Sequence, residues 1–156
     1  MSRSRSALPP LYYTIFCIYE PILTTTGFIG TLLNPTKAQH LPLATRVTIV
    51  QLAHVCGLLG LVNIFLLRAA HQYLSTQLAL QEKIVGALLT PLLIGDILHL
   101  VLTLWALGDV RWNVSEWGGM LWVTVLLGFT LLIPRVTWHL GIGRYMEARD
   151  SKGNRK

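Results

Sequence analysis

A chain of 156 residues that is 53% hydrophobic and only 13% charged falls well short of the roughly one-quarter charged residues of an ordinary soluble domain. Its long apolar stretches do not alternate with polar positions to leave a wet face, and its size suits one domain with nothing left over for a separate catalytic module. The formal net charge of +6 does not indicate nucleic acid as a partner, because the basic residues, with one exception, sit in the tails and short links rather than in a patch on a folded surface.

A membrane-spanning helix needs about 20 mostly apolar residues, since each rises about 1.5 Å through a hydrocarbon layer of about 30 Å. After an N-terminal segment at 1–10, the first such stretch covers 11–33. Arg3 and Arg5 give it the look of a signal peptide. Glu20 and Pro21 interrupt the run, however, and no small-residue cleavage site follows, so it reads as a retained first span. Asn34-Pro35 and Leu41-Pro42 then break the chain. The second span covers 47–67. The link from Arg68 to Lys83 carries Tyr73, Leu74 and Leu78 and is expected to form a short interfacial helix. The third span covers 84–107 and ends at Gly108-Asp109 and Asn113, and the fourth covers 117–140. The polar tail at 144–156 is expected to fray. Backbone amides cannot go unpaired in lipid, and Leu-rich runs of this length do not read as the short alternating strands of a barrel. The expectation is an all-α, integral membrane four-helix bundle with one transmembrane domain at 11–143. Cys17 and Cys56 lie inside spans and read as buried free thiols, without the spacing of a metal site.

Lys and Arg set the expected orientation. With both termini in the cytosol, that side holds Arg3, Arg5, Arg68, Lys83, Arg144, Arg149, Lys152, Arg155 and Lys156, against Lys37, Arg46 and Arg111 on the other. This is the positive-inside bias. It places the sequon Asn113-Val114-Ser115 on the lumenal side, as a candidate glycosylation site. Trp105, Trp112 and Trp117 gather at the same boundary, as an aromatic belt would. The expected location is the endoplasmic reticulum membrane.

A charge at the centre of a span costs about 2.5–3.5 kcal/mol on insertion scales, so it needs a partner, a wet cavity or a function. Glu20, Asp96 and Arg135 are such residues. Tyr13, Cys17, Glu20 and Thr24 recur at helical spacing on one face, and Pro21 is expected to kink the helix there. Asp96 and His99 share a face three residues apart, as do Gln51 and His54. Glu20, Gln51, His54, Asp96 and His99 form the expected inward-facing polar set. Structural readings stand beside the functional ones. Glu20 and Asp96 could be an interhelical pair that fixes packing, Asp96 and His99 a local bond, and Arg135 a snorkelling or charge-paired side chain. Gly27, Gly30, Gly57, Gly60 and Gly128 are expected to permit close helix approach. Asn63, half a turn out of phase with His54, is expected to face another helix.

A carboxylic acid in an apolar cavity is poorly solvated when charged and can serve as a general acid. A second carboxylate or a histidine could then accept a proton. Across a greasy pocket such a set suits isomerisation or cyclisation of a lipophilic substrate. Tyr13, Tyr19, Trp105 and Trp122 could face a cationic centre, with Gln51 and His54 also contacting substrate. The chemistry needs no metal and no other cofactor. A channel would show a more continuous polar stripe, and a transporter more spans and a detectable repeat.

Tyr19-Glu20-Pro21, Thr26-Gly27, Asn34-Pro35 and the run Ile94-Gly95-Asp96-Ile97-Leu98-His99 resemble a family of small fungal four-span membrane proteins of unknown function, over about Leu11 to His139. More distantly the chain looks like the emopamil-binding and sterol-isomerase fold and the fungal membrane-bound terpene cyclases, although those cyclases are usually longer. The resemblance implies proton-driven chemistry on a terpenoid, meroterpenoid or polyketide-derived molecule in secondary metabolism, with Glu20 and Asp96 as candidate acids and His99 in support. The alternative is a non-catalytic protein that binds a lipid, supports a partner membrane enzyme, or assists export. The expected partners are a lipophilic small molecule and membrane lipid, with a second copy of the chain or a partner membrane enzyme as further candidates.

Overall fold

The computed structural model describes residues 6–33 and 41–148, and every regular element among them is helical. Helix α1 runs Pro10–Leu33, α2 Leu43–Tyr73, α3 Leu78–Ala106 and α4 Gly119–His139, and each is long and apolar enough to cross a membrane. Their surfaces are inverted relative to a water-soluble protein. Ile97, Leu98, Val101 and Leu102 are exposed along α3, as are Leu58, Leu61 and Phe65 along α2. In water, apolar area on this scale would drive association, whereas in a bilayer it is the solvated surface. The four helices fit a multi-pass membrane protein.

Local chemistry explains the helix ends. Pro10 opens α1 at a position where its missing N–H costs nothing, and Tyr13 N–H donates to Pro9 O at 2.9 Å. Pro42 precedes α2 in the same way, with Arg46 N–H donating to Pro42 O. Helix α4 ends where Gly141 takes a φ of +72°. There Gly141 N–H bonds Trp138 O and Ile142 N–H bonds Thr137 O, the paired closure that a left-handed glycine allows. Pro91 and Pro134 lie inside α3 and α4 without ending them.

Several boundaries differ from expectation. Helix α2 continues through Arg68 to Tyr73 and α3 starts at Leu78, so the second link shrinks to 74–77 and holds no helix of its own. Flanking polar residues lengthen both helices beyond their hydrocarbon-length cores. The third link instead carries two 3₁₀ turns, Gly108–Trp112 and Val114–Glu116. The expected break at Asn34-Pro35 lies outside the described residues.

The chain divides into two compact units. The first, 8–77, is an antiparallel hairpin of α1 and α2. The second combines the antiparallel hairpin of α3 and α4 with Ser6 and Ala7. In the second unit Tyr145 N–H donates to Ser6 O at 2.9 Å. The two described ends of the chain therefore lie side by side.

Candidate functional site

The first hairpin is assembled around Glu20. Pro21 has no N–H to offer the carbonyl of Cys17 and its ring crowds that oxygen. The chain responds with a π-helical turn at Ile15–Tyr19, closed by Glu20 N–H bonding to Ile15 O. Widened turns of this kind recur at functional positions. Glu20 is 4% exposed, and its Oε1 accepts a hydrogen bond from Nδ2 of Asn63 at 2.8 Å. One turn on, Thr24 donates its hydroxyl to the carbonyls of Glu20 and Pro21, at 3.1 and 3.2 Å, and packs against Gly60, where any β-carbon would collide with that hydroxyl. Phe28 then sits over Gly57, 3.3 Å from where a β-carbon would stand, and its ring lies 5.8 Å from that of His54. At the other end Tyr13 meets His71 at 4.7 Å between ring centroids. The contacts descend one helix as they climb the other, which defines an antiparallel seam.

An apolar groove follows this seam. One stretch, about 310 Å³, is lined by Cys17, Ile18, Pro21, Ile22, Thr25, Thr26 and Ile64. The next, about 300 Å³, shares Thr25 and adds Phe28, Ile29, His54 and Leu58 among its walls. Neither lining holds a Lys or Arg. A separate hollow of about 450 Å³, near the start of α2, includes Arg46 and Gln51.

The second hairpin holds its own polar seam. Arg135, 1% exposed, forms an ion pair with Asp96. Its carbonyl contacts Nδ1 of His139 at 2.8 Å, and Nε2 of His139 contacts the Thr90 hydroxyl at 3.1 Å. Gly128 receives Leu100 and lies beside His99. At the end where the termini meet, Gln81 Oε1 accepts from Ser6 Oγ and Ala7 N–H, and Trp138 Nε1 donates to Ala7 O. Arg144, 6% exposed, bonds Glu82 at 2.6 Å and lies over the Trp138 ring at 3.9 Å. The segment from Arg144 to Glu147, expected to fray, is instead tied down, and Glu147 N–H bonds Glu82 Oε2.

Each carboxylate named in the sequence thus has a partner in its own hairpin: Glu20 pairs with Asn63 and Asp96 with Arg135. Asn63 does face another helix, and Arg135 is charge-paired. Gln51, His54 and His99 are exposed rather than turned inward, although His54 faces the groove. Tyr19, Trp105 and Trp122 are also exposed, Trp105 at 73%. Trp117 bonds Val110 O and packs on Trp122, and Arg111 lies over Trp112, an arrangement suited to a headgroup boundary. Asn113 is exposed, with its side chain bonded to Glu116 and Ser115. Cys17 is buried, but Cys56 is exposed, contrary to expectation, because it lies on the outer face of α2. Gly27 and Gly30 face open space and permit no close approach. Gln81, Glu82 and Arg144 were not singled out from the sequence, where they read as ordinary residues at span ends.

Residues 5–145 match the family model described as a domain of unknown function, DUF7704. No curated protein and no solved structure matches the chain.

Proposed function

The chain belongs to the DUF7704 family, a domain of unknown function, and we propose that it is a non-catalytic membrane protein that holds a lipophilic molecule along the seam of its first hairpin. The observation that carries this reading is the groove running from Cys17 and Ile18 to Ile29 and His54. Its walls are almost wholly apolar and hold no Lys or Arg. Meanwhile Glu20 and Asp96 are engaged with Asn63 and Arg135, as groups that fix helix packing would be. Cytosolic termini, an endoplasmic reticulum location and a glycan at Asn113 belong to the same proposal and rest on the Lys and Arg distribution and the sequon.

Mass spectrometry of small molecules that copurify with the full chain tests the reading. A defined lipophile is expected, reduced when Ile22→Trp and Leu58→Trp fill the groove. A mixture of bulk phospholipids, unchanged by those substitutions, would overturn it.

A second reading is a membrane isomerase or cyclase that uses Glu20 and Asp96, with His99 in support. It is favoured by a buried carboxyl with a neutral amide partner whose helical neighbours Cys17 and Pro21 line the groove. Product analysis of a host expressing Glu20→Gln or Asp96→Asn at equal protein levels tests it, and unchanged product in both variants rejects it.

A further inference from the structure

A hydrocarbon chain gains little by leaving a bilayer for a protein groove, because lipid tails are as apolar as the leucines that line it. Selectivity must come from shape and from hydrogen bonds, so the polar groups in the groove wall carry the information. Two of them stand out. Thr31, Thr48, Thr90, Thr103 and Thr124 each return their hydroxyl to the carbonyl four residues back. The corresponding carbonyl for Thr25 is that of Pro21, which takes the hydroxyl of Thr24 instead. Thr25 is half-buried, lines both stretches of the groove, and has no hydrogen-bond partner among the described residues. His54 lines the same second stretch. Its ring meets Phe28 and likewise makes no hydrogen bond there. Both lie more than two turns from the nearer end of their helices, where water is scarce and an unmade hydrogen bond is costly.

We propose that the groove takes a linear lipophile bearing one neutral hydroxyl, held by Thr25 and His54. A threonine hydroxyl and an imidazole ring can each donate and accept, and a ligand hydroxyl does both as well. A carboxylate or phosphate would want a fixed cation, and the lining of these two stretches holds no Lys or Arg. From Ile18 to Ile29 the groove follows about 16 Å of helix, the length of roughly a dozen extended methylene carbons. A long-chain alcohol therefore fits in length as well as polarity. This inference rests on the binding role proposed above and names the class of molecule for that same groove.

The test uses the full chain in lipid nanodiscs and three photoreactive dodecyl probes that differ only at the end: hydroxyl, methyl or carboxylate. The alcohol is expected to label peptides covering 18–29 and 54–64 about threefold or more above the other two, as one or two net hydrogen bonds allow. Thr25→Val and His54→Phe are expected to remove that preference, and Thr25→Ser to keep it. Equal labelling by the methyl probe, stronger labelling by the carboxylate, or a preference unchanged in both variants would overturn the hydroxyl assignment while the groove remains a binding site. Absence of labelling there by all three probes would overturn the binding role as well. Should Thr25→Val misfold, the comparison of the three probes on the native chain decides by itself.

Discussion

Asn63 donates to the carboxyl of Glu20 across 43 residues of sequence, at 2.8 Å and with both side chains almost fully buried. The bond fixes the register of the first hairpin, because sliding either helix by one turn would leave both groups in hydrocarbon without each other. Interhelical hydrogen bonds of this kind contribute about 0.6 to 2 kcal/mol. Asn63→Leu is expected to lower stability in detergent by about that amount, with a non-additive result when combined with Glu20→Gln. Thermal unfolding of the two single variants and the double variant checks this, and strict additivity would show that the pair is not coupled.

The Asp96–Arg135 pair should respond more strongly. Removing one partner of a buried ion pair leaves the other charge without compensation and costs about 3–5 kcal/mol. Arg135→Ala is expected to lose folded protein on that scale. Asp96→Leu combined with Arg135→Met is expected to recover most of it, since an apolar pair of similar volume packs without desolvation cost. Folded yield after detergent extraction separates these outcomes.

Glycine substitutions distinguish a tight seam from an open face. A β-carbon at Gly60 would meet the Thr24 hydroxyl and stand 3.3 Å from the Pro21 Cα, whereas one at Gly27 meets nothing within 4 Å. Gly60→Ala is therefore expected to destabilise by about 1–3 kcal/mol through overpacking. Gly27→Ala is expected to be neutral or stabilising by up to about 1 kcal/mol through helix propensity. Parallel melting curves suffice, and equal shifts would contradict the seam as described.

Arg144 couples the described chain ends through Glu82, Trp138 and the carbonyl of Tyr145. Arg144→Ala should cost about 1.5–3 kcal/mol, typical of a charged hydrogen-bonding group. It should also speed hydrogen exchange at the amides of Ala7 and Tyr145. Unchanged exchange at both amides would mean that Gln81 and Trp138 hold the ends without it.

The sequence by itself determined four helices long and apolar enough to cross a membrane, because hydrocarbon length and backbone hydrogen bonding favour that solution for four apolar runs. It also marked Glu20, Asp96 and Arg135 as residues that need partners, since a charge within a span is costly until it is paired or reaches water. Which partners they found was decided by tertiary structure. The π turn before Pro21 and the small faces at Gly57 and Gly60 set the rotation and register of α1 on α2, and these brought Asn63 to Glu20. Arg135 reached Asp96 in the same way, through the approach of α4 to α3 at Gly128. Hydropathy varies along one dimension, whereas pairing depends on the angle and offset between two helices, which no single helix encodes.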